Sequence, residues 1–306
     1  MKKILLTVLS LVAVAMAFAQ TKIAVEAPGV VAADEQFNVT FVIEGEDSPS
    51  DFTWASSGDF QIQWGPQQGK STSIQIVNGK RSKTVQSTYT YVLRPVKAGR
   101  FTIPPATAKV KGRQISSEPK VIEVAAAGAA SSSRTQAGQQ AQRQNVGLSD
   151  SDIFMSLTLD RTKVVVGEPI VATLKLYQRV SIAGFENVSF PTFNGFWSQE
   201  VEAPTNIEFT REVYDGQIFN AALLRKFTLI PQQQGQIIIS PAEMTCLVNV
   251  RVSSGGTSIF DGFFDDYRTV RQKVTSKPIT VNVSALPSGA PASFAGGVGE
   301  FSISAR

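Results

Sequence analysis

The feature that most constrains this chain is a pattern that occurs twice, at residues 89–106 and 225–242. In both copies an alternating apolar stretch ends at a proline, Pro95 or Pro231, and a glycine follows shortly afterwards. A second apolar stretch then ends in a Pro-Ala pair. Alternating side chains share a strand face, and proline cannot donate a ladder hydrogen bond. The pattern therefore predicts a β-hairpin in each copy, with Phe101 and Ile103 returning on the partner strand of the first.

Residues 1–19 have the composition of a signal peptide. Lys2 and Lys3 precede an apolar stretch, and Ala17-Phe18-Ala19 forms a cleavage site of the A-x-A type. An uncleaved membrane anchor is the alternative, which is disfavoured because the apolar run is short for crossing a bilayer. Removing the two lysines lowers the formal charge of +4 by two, so charge gives no argument for nucleic-acid binding. We therefore expect an exported, periplasmic protein.

The mature sequence divides into two strand-rich modules and a linker. Residues 20–124 and 151–285 show alternating apolar patterns and turn signals, without sustained helical periodicity. Residues 125–150 are rich in Ala, Ser, Gly and Gln, which predicts a flexible tether, with a short Ala-rich helix as the alternative. Residues 286–306 predict a further linker and the first strand of a truncated third module.

The two modules correspond in order, which indicates a duplication. The matching pairs are Glu35 and Glu168, Trp64 and Trp197, Asn78-Gly79 and Asp215-Gly216, and Ser117 and Ser276. The second module carries an insertion near residues 253–271. Asn-Gly and Asp-Gly are strong signals for two-residue hairpin turns.

The fold class that this organisation predicts is all-β, with tandem immunoglobulin-like β-sandwich modules joined by a flexible linker. Each module offers about seven short strands, and an eight-stranded barrel is the competing architecture. Trp64 and Trp197 are predicted core anchors. The single cysteine, Cys246, lies on an alternating apolar face, which favours a buried apolar side chain over an intermolecular disulfide.

The absence of histidine is the main catalytic constraint. It excludes Ser-His and Cys-His nucleophiles and removes the usual zinc ligands. The chain also lacks a glycine-rich phosphate loop and a G-x-S-x-G elbow. A lysine- or carboxylate-based hydrolase has no supporting spacing. We therefore expect a non-enzymatic protein without a cofactor or a structural metal.

The insertion supplies the candidate interaction surface, because it combines aromatic side chains with charges, a composition found at binding interfaces. Its candidate residues are Phe260, Asp261, Phe263, Phe264, Asp265, Asp266, Tyr267 and Arg268. The carboxylates could instead gather around Ca²⁺ or form a solvated acidic loop, and the whole insertion could fold back on its own module. A second candidate is the predicted loop at residues 63–70, whose amides suit a peptide or a sugar. Its alternative is an ordinary inter-strand crossover with Trp64 buried.

The combined motifs resemble the BatD family of Bacteroides aerotolerance (oxygen-tolerance) proteins. The matching segments are Gly65-Pro66-Gln67, Ser71-Thr72-Ser73, Ile76-Val77-Asn78-Gly79, Tyr89 to Leu93, Phe101 to Ala106, Phe260 to Phe264 and Gly297 to Phe301. The resemblance implies a periplasmic protein that is anchored in the inner membrane by a C-terminal helix, which the given sequence lacks. It implies membrane partners with von Willebrand factor A domains and a functional link to a MoxR-type AAA+ ATPase. It implies no catalytic residues.

The function that we expect is therefore a non-enzymatic interaction or scaffold protein of a membrane-associated envelope complex linked to oxygen or stress tolerance. The alternative is a surface adhesin or a carbohydrate-binding β-sandwich protein, because immunoglobulin-like repeats serve that role too.

Overall fold

The computed structural model describes residues 21–77, 80–130, 149–252, 266–289, 293–294 and 296–299. Two compact units divide between Ala129 and Ala130. All regular structure in the described ranges is β-strand, which confirms the predicted all-β class. No helix in these ranges is long and apolar enough to cross a membrane. The predicted signal peptide and most of the predicted linker lie outside the described residues.

The first module contains ten strands in its described part. They are β1 (Ile23–Glu26), β2 (Val30–Ala32), β3 (Phe37–Gly45), β4 (Ser50–Thr53), β5 (Phe60–Val77), β6 (Lys80–Pro95), β7 (Gly99–Ile103), β8 (Thr107–Val110), β9 (Arg113–Ser116) and β10 (Lys120–Ala125). One sheet has the order β1-β3-β6-β5, and two smaller sheets have the orders β2-β10-β7 and β4-β8-β9.

The core of the first module lies between the four-stranded sheet and the two smaller ones. Phe37, Val39, Phe41 and Ile43 alternate along β3 and are buried, whereas the side chains between them are mostly less buried. Partners from β7, β8 and β10 complete one hydrophobic cluster. Burial of alternating apolar side chains from two facing layers is the defining feature of a β-sandwich.

The second module contains eleven strands in its described part. They are β11 (Ile153–Leu159), β12 (Lys163–Val165), β13 (Ile170–Gln178), β14 (Ser181–Ser189), β15 (Phe196–Glu202), β16 (Thr210–Tyr214), β17 (Gln217–Pro231), β18 (Gly235–Ile239), β19 (Glu243–Val252), β20 (Asp266–Thr275) and β21 (Ile279–Ser284). The sheets have the orders β11-β13-β17-β15, with β16 also on β17, then β12-β21-β18 and β14-β19-β20. This is the strand order of the first module, with β15 and β16 together in the place of β5.

The same hydrogen bonds recur at equivalent positions of the two modules. The Glu35 carboxylate accepts from the Ala32 N–H at 3.2 Å, and the Glu168 carboxylate accepts from the Val165 N–H at 3.1 Å. In both cases the glutamate N–H donates back to the same residue's carbonyl, at 3.0 and 3.1 Å. Each glutamate thus closes the turn that leads into the long inner strand, which explains why it recurs at the same offset.

The repeated proline-glycine motif does not form the predicted hairpin. β7 pairs with β10 rather than with β6, and β18 pairs with β21 rather than with β17. The chain therefore crosses from one sheet to the facing sheet at Pro95–Gly99 and again at Pro231–Gly235. Both glycines have positive φ values, 145° and 119°, a region in which side chains are strained. Alternation predicted the strands themselves correctly, but it carries no information about which strand each of them pairs with.

The two-residue turn signals were interpreted correctly. Val77 pairs with Lys80 across Asn78-Gly79, which itself lies outside the described residues. Tyr214 pairs with Gln217 across Asp215 and Gly216, whose φ values are 50° and 73°. Positive φ at both central residues is the geometry of a type I′ hairpin turn.

Trp64 and Trp197 are not core anchors, contrary to the prediction. They are 54% and 49% exposed, and both lie on edge strands, β5 and β15. The buried tryptophan is Trp54, whose Nε1–H donates to the Pro104 carbonyl at 3.0 Å. Its ring lies 5.3 Å from Phe41. Equal spacing in the two modules identifies equivalent positions, but it does not say that those positions are buried.

Residues 63–70 form part of β5 rather than a loop, and Trp64 is not buried there. The strand is irregular, with register shifts against β6 on both sides of Trp64 and a cis bond between Gly65 and Pro66. A Cβ atom at Gly65 would lie 2.7 Å from the Thr90 carbonyl oxygen, so only glycine permits this close approach. The Gly-Pro pair marks a bulge in an edge strand, a position where proline is tolerated.

Candidate interaction surface

The predicted surface in the insertion is only partly within the described residues. Phe260, Asp261, Phe263, Phe264 and Asp265 lie outside them, and so two of the three possible Ca²⁺ ligands are not described. Within the described ranges no three potential metal-ligating side chains cluster.

The last three residues of that surface begin β20. Asp266 and Tyr267 pair with Val252 and Arg251, and Arg268 is exposed and pairs with Val250. The equivalent hairpin of the first module, β8 and β9, has four residues in each strand, whereas β19 and β20 have ten. The insertion therefore lengthens a hairpin of the sandwich, and Asp266, Tyr267 and Arg268 lie at the end of β20 where it pairs with the last residues of β19.

A cluster of four aromatic side chains lies elsewhere in the second module. Phe154 of β11 stacks on Tyr177 of β13, with ring centroids 5.1 Å apart and planes 8° apart. Tyr214 of β16 lies 4.9 Å from both rings, and Phe219 of β17 lies 5.1 Å from Phe154 in an edge-on arrangement. These distances are typical of favourable aromatic pairs. We call these four residues the aromatic cluster.

The aromatic cluster lies on the face of the five-stranded sheet that points away from the core. Ile153, Met155 and Leu157 turn the other face of β11 into the core, so Phe154 must point outward. Tyr177 and Phe219 form a separate small hydrophobic group with Ala221. Tyr214 remains 40% exposed. An apolar group on the outer face of a sheet, with one ring accessible, marks a candidate binding surface.

Charged side chains lie beside the aromatic cluster, and one of them accepts a hydrogen bond from the Tyr177 hydroxyl. The Lys175 ammonium contacts both oxygens of Glu212, at 2.7 and 2.9 Å, and the Tyr177 hydroxyl donates to the same carboxylate at 3.3 Å. Burial, followed by the nearby Glu212 charge, raises the pKa of Tyr177 to about 12. The tyrosine therefore stays neutral at physiological pH and acts as a hydrogen-bond donor.

A second charged side chain, Arg179, lies against the Phe219 ring of the aromatic cluster. Its guanidinium lies 3.8 Å from the centroid of the Phe219 ring, a cation–π contact, and it also donates to the Gln217 side chain. Burial lowers the pKa of Arg179 from its usual value. The planar guanidinium is thus stacked on the cluster rather than extended into solvent.

Two clefts, each of about 690 Å³, adjoin this region. The first follows the free edge of β11 and is mainly apolar, with walls from residues 154–158 and 275–279 and with Tyr214 and Phe219 at one side. The second has a mixed polar and apolar lining, from the connection between β15 and β16 and from β13 and β17. Its lining includes Lys175, Glu202, Thr205, Asn206, Glu208, Glu212 and Lys226. Both volumes fall in the range of about 300–1,000 Å³ that is usual for ligand sites.

The aromatic cluster has a sequence signal that simple alternation does not reveal, namely pairs of adjacent apolar residues within strands. Ile153-Phe154, Leu176-Tyr177 and Ile218-Phe219 each place two apolar residues side by side in a strand. Because neighbours in a strand point to opposite faces, such pairs require an apolar contact on both faces. The three pairs lie on adjacent strands, which only the register reveals.

Comparisons with known proteins give one family and several remote structural likenesses. A solved structure named BspA_C_WT is 8% identical over 86% of this chain and 99% of its own, with a TM-score of 0.22. The collagen adhesin (CNA) from S. aureus is 8% identical over 86% and 95%, with a TM-score of 0.17. The adhesin InvE from Yersinia pseudotuberculosis is 10% identical over 84% and 60%, with a TM-score of 0.16. At these TM-scores the likenesses carry no argument.

No curated protein matches the chain. Residues 24–124 match the family described as the BatD DUF11-like domain. That range covers nearly all of β1 to β10, and so the whole first sandwich. The first module is therefore similar to the BatD DUF11-like domain, which agrees with the resemblance drawn from the sequence motifs.

Proposed function

We propose that this chain is a non-catalytic interaction protein of the cell envelope, and that the aromatic cluster of its second module is a contact site for a protein partner. The observation that carries the proposal is the position of Phe154, Tyr177, Tyr214 and Phe219 on the outer face of a sheet, beside an open apolar cleft. Aromatic and arginine side chains dominate the binding energy of protein interfaces, and Arg179 lies on the same group.

The match of the first module to the BatD DUF11-like domain supports the finer parts of the proposal. The family resemblance implies an exported protein that is tethered to the inner membrane and has von Willebrand A-domain partners, with a functional link to a MoxR-type ATPase and to oxygen tolerance. The absence of histidine from the whole chain is consistent with a role that needs no general base of that kind. The outer end of the β19–β20 hairpin, with Phe260 to Arg268, is proposed as a second contact region.

Site-specific photocrosslinking in cells tests the proposal. A photoreactive phenylalanine analogue replaces Tyr214 in the aromatic cluster, and the captured envelope proteins are identified by mass spectrometry. The matched control places the same analogue at Ile238, which is 64% exposed and lies on the opposite sheet of the same module. We expect von Willebrand A-domain proteins to be captured from position 214 and not from position 238. Equal capture from both positions would show that the cluster is not the contact site.

A carbohydrate-binding role is the second candidate, and the polar side chains of the second cleft favour it. This cleft presents amide, hydroxyl, carboxylate and ammonium groups, which suit hydroxyl-rich ligands. A glycan array probed with the purified chain and with the Asn206→Ala variant separates the two functions. Strong glycan binding that depends on Asn206, without crosslinking from position 214, would favour the carbohydrate role.

A further inference from the structure

The apolar cleft runs along the edge of a strand rather than across a sheet face. Five consecutive residues of β11, Phe154 to Thr158, line it. Side chains on one face of a strand alternate, so a wall made of consecutive residues is the main-chain edge itself. Thr275, Lys277, Pro278 and Ile279 supply the other wall, at the connection between β20 and β21. The cleft is therefore a channel beside a strand edge that no described strand pairs with.

The edge of β11 that faces this channel carries main-chain hydrogen-bonding groups that pair with no other described strand. On the side of β13, the Asp160 N–H donates to the Val171 carbonyl at 3.1 Å, and the Asp152 carbonyl accepts from the Arg179 N–H at 2.9 Å. These even-numbered positions therefore turn their polar groups towards β13, and the register between them is regular. Because these groups alternate sides along an antiparallel strand, Met155 and Leu157 turn theirs towards the channel.

The first module shows what such an edge does when it has a neighbour. Ile23 of β1 occupies the position of Met155, and it forms a parallel bridge with Ser117. Ser276 is the equivalent of Ser117, with the same hydrogen bonds to a Pro-Ala segment. Across the described part of the second module, no bridge joins Met155 to Ser276. The bridge that occupies this strand edge in the first module is thus absent from the described part of the second.

We propose that the free edge of β11 binds an extended segment of a partner protein, which adds to the sheet as a strand. Such strand addition combines main-chain hydrogen bonds, which give affinity, with side-chain pockets, which give specificity. On the outer side, the segment places an aromatic or large apolar side chain beside Phe154 and Tyr214. This inference rests on the proposed function, since it names the kind of partner segment that the aromatic cluster contacts.

A single extended strand fits this site better than a second copy of the chain. Because walls border the channel on both sides, a single strand enters it more readily than the edge of a sheet does. The β11 edge of another copy belongs to a five-stranded sheet, and its own second wall would meet the wall formed by Thr275, Lys277, Pro278 and Ile279. A partner segment with alternating apolar residues meets both requirements, because it is narrow and presents alternate side chains to the two faces.

A displayed library of random twelve-residue peptides tests the inference on the full mature chain. Peptides are selected on the native chain and counter-selected on the Met155→Pro variant, which loses the N–H that faces the channel. Met155→Leu is the matched control, because it changes the side chain and keeps the N–H. We expect enrichment of peptides with an alternating aromatic pattern that bind the native chain and Met155→Leu. Failure to enrich any such peptide would overturn the inference.

The enriched peptide then separates main-chain pairing from simple apolar contact. A version with alternate amides N-methylated keeps every side chain but cannot form the ladder, so we expect its affinity to fall by about tenfold or more. Equal binding of the methylated peptide would contradict strand addition. If Met155→Pro fails to fold, Leu157→Pro replaces it in the selection. Hydrogen exchange on the native chain then provides a second test, in which we expect the peptide to protect the amides of Met155 and Leu157.

Other results would separate this inference from the proposed function. Capture of a partner from position 214 that persists in Met155→Pro would leave the interaction role intact and refute strand addition. A dimer of the native chain that Met155→Pro abolishes would assign the edge to a second copy instead.

Discussion

Replacing Ser276 by alanine should destabilise the second module selectively. Ser276 is 2% exposed, and its Oγ accepts the N–H of Ala242 at 2.9 Å, while its own N–H donates to the Ala242 carbonyl at 2.9 Å. The alanine variant keeps the second bond and loses the first. Ala242 is 1% exposed, so its N–H would find no water. An unsatisfied buried donor costs about 1–3 kcal/mol, and we expect this loss in the free energy of unfolding.

The single cysteine provides the assay. Cys246 is fully buried in the core of the second module, and burial raises the pKa of its thiol to about 11. A thiol reagent therefore reacts with it only when the module opens. When refolding is faster than labelling, the labelling rate follows the population of the open state. The expected destabilisation corresponds to labelling that is faster by about fivefold to about 150-fold.

Ser117→Ala is the matched control. The Ser117 Oγ makes the same 2.9 Å contact with the Ala106 N–H in the first module, which contains no cysteine. We expect this variant to lower the stability of the first module and to leave the labelling of Cys246 unchanged. A change of less than twofold in Ser276→Ala would refute the assigned role of the serine. Equal acceleration by both variants would refute separate unfolding of the modules.

Three further predictions concern stability in urea. Trp54→Ala should cost about 3–5 kcal/mol because it empties a buried site, whereas Trp64→Ala should change the free energy of unfolding by less than about 0.5 kcal/mol; similar losses would contradict the assignment of Trp54 as the core residue. Gly216→Ala should lower the free energy of unfolding by about 1–2 kcal/mol, because alanine is strained at the φ of 73°. Crowding adds nothing to this loss, since a Cβ at Gly216 would have no atom within 4 Å. Gly58→Ala is the control, which should not be destabilising because Gly58 is equally uncrowded and has no positive φ. Raising the pH from about 9 to about 11 should lower the urea midpoint of the second module. In this range the Cys246 thiol loses its proton in the unfolded state but keeps it in the folded state, which favours unfolding. If the midpoint of Cys246→Ala fell by the same amount, this cause would be contradicted.

The inner strands and tight turns were predictable from the sequence because their signals are local. Alternation along Phe37 to Ile43 specifies which side chains are buried, and Asp215-Gly216 specifies a turn through its positive φ values. The partner of each strand depends on distant residues. The segment after Pro95 is equally compatible with a hairpin and with a crossing to the facing sheet, and only the pairing of β7 with β10 decides between them.

The candidate surface was predictable only in part for the same reason. The aromatic insertion is contiguous in sequence, so its composition is visible there. The aromatic cluster draws its members from four strands, and a bulge between Leu174 and Lys175 shifts the register of β13 against β17 before Tyr177. Alternation along β13, counted from Ile170, places Tyr177 correctly on the outer face. It does not predict that Phe219 of β17 lies beside Tyr177, because that contact depends on the register between the two strands.

The parallel pairing of β2 with β10, and of β12 with β21, has a mechanical consequence. The paired strands lie close to opposite ends of each module in sequence and run in the same direction, with registers of three residues. Tension along the chain therefore draws the two strands past each other, so their hydrogen bonds bear the force together in shear instead of opening one after another. A protein that links partners across the envelope would thus yield to a pull abruptly, one module at a time, rather than stretch gradually.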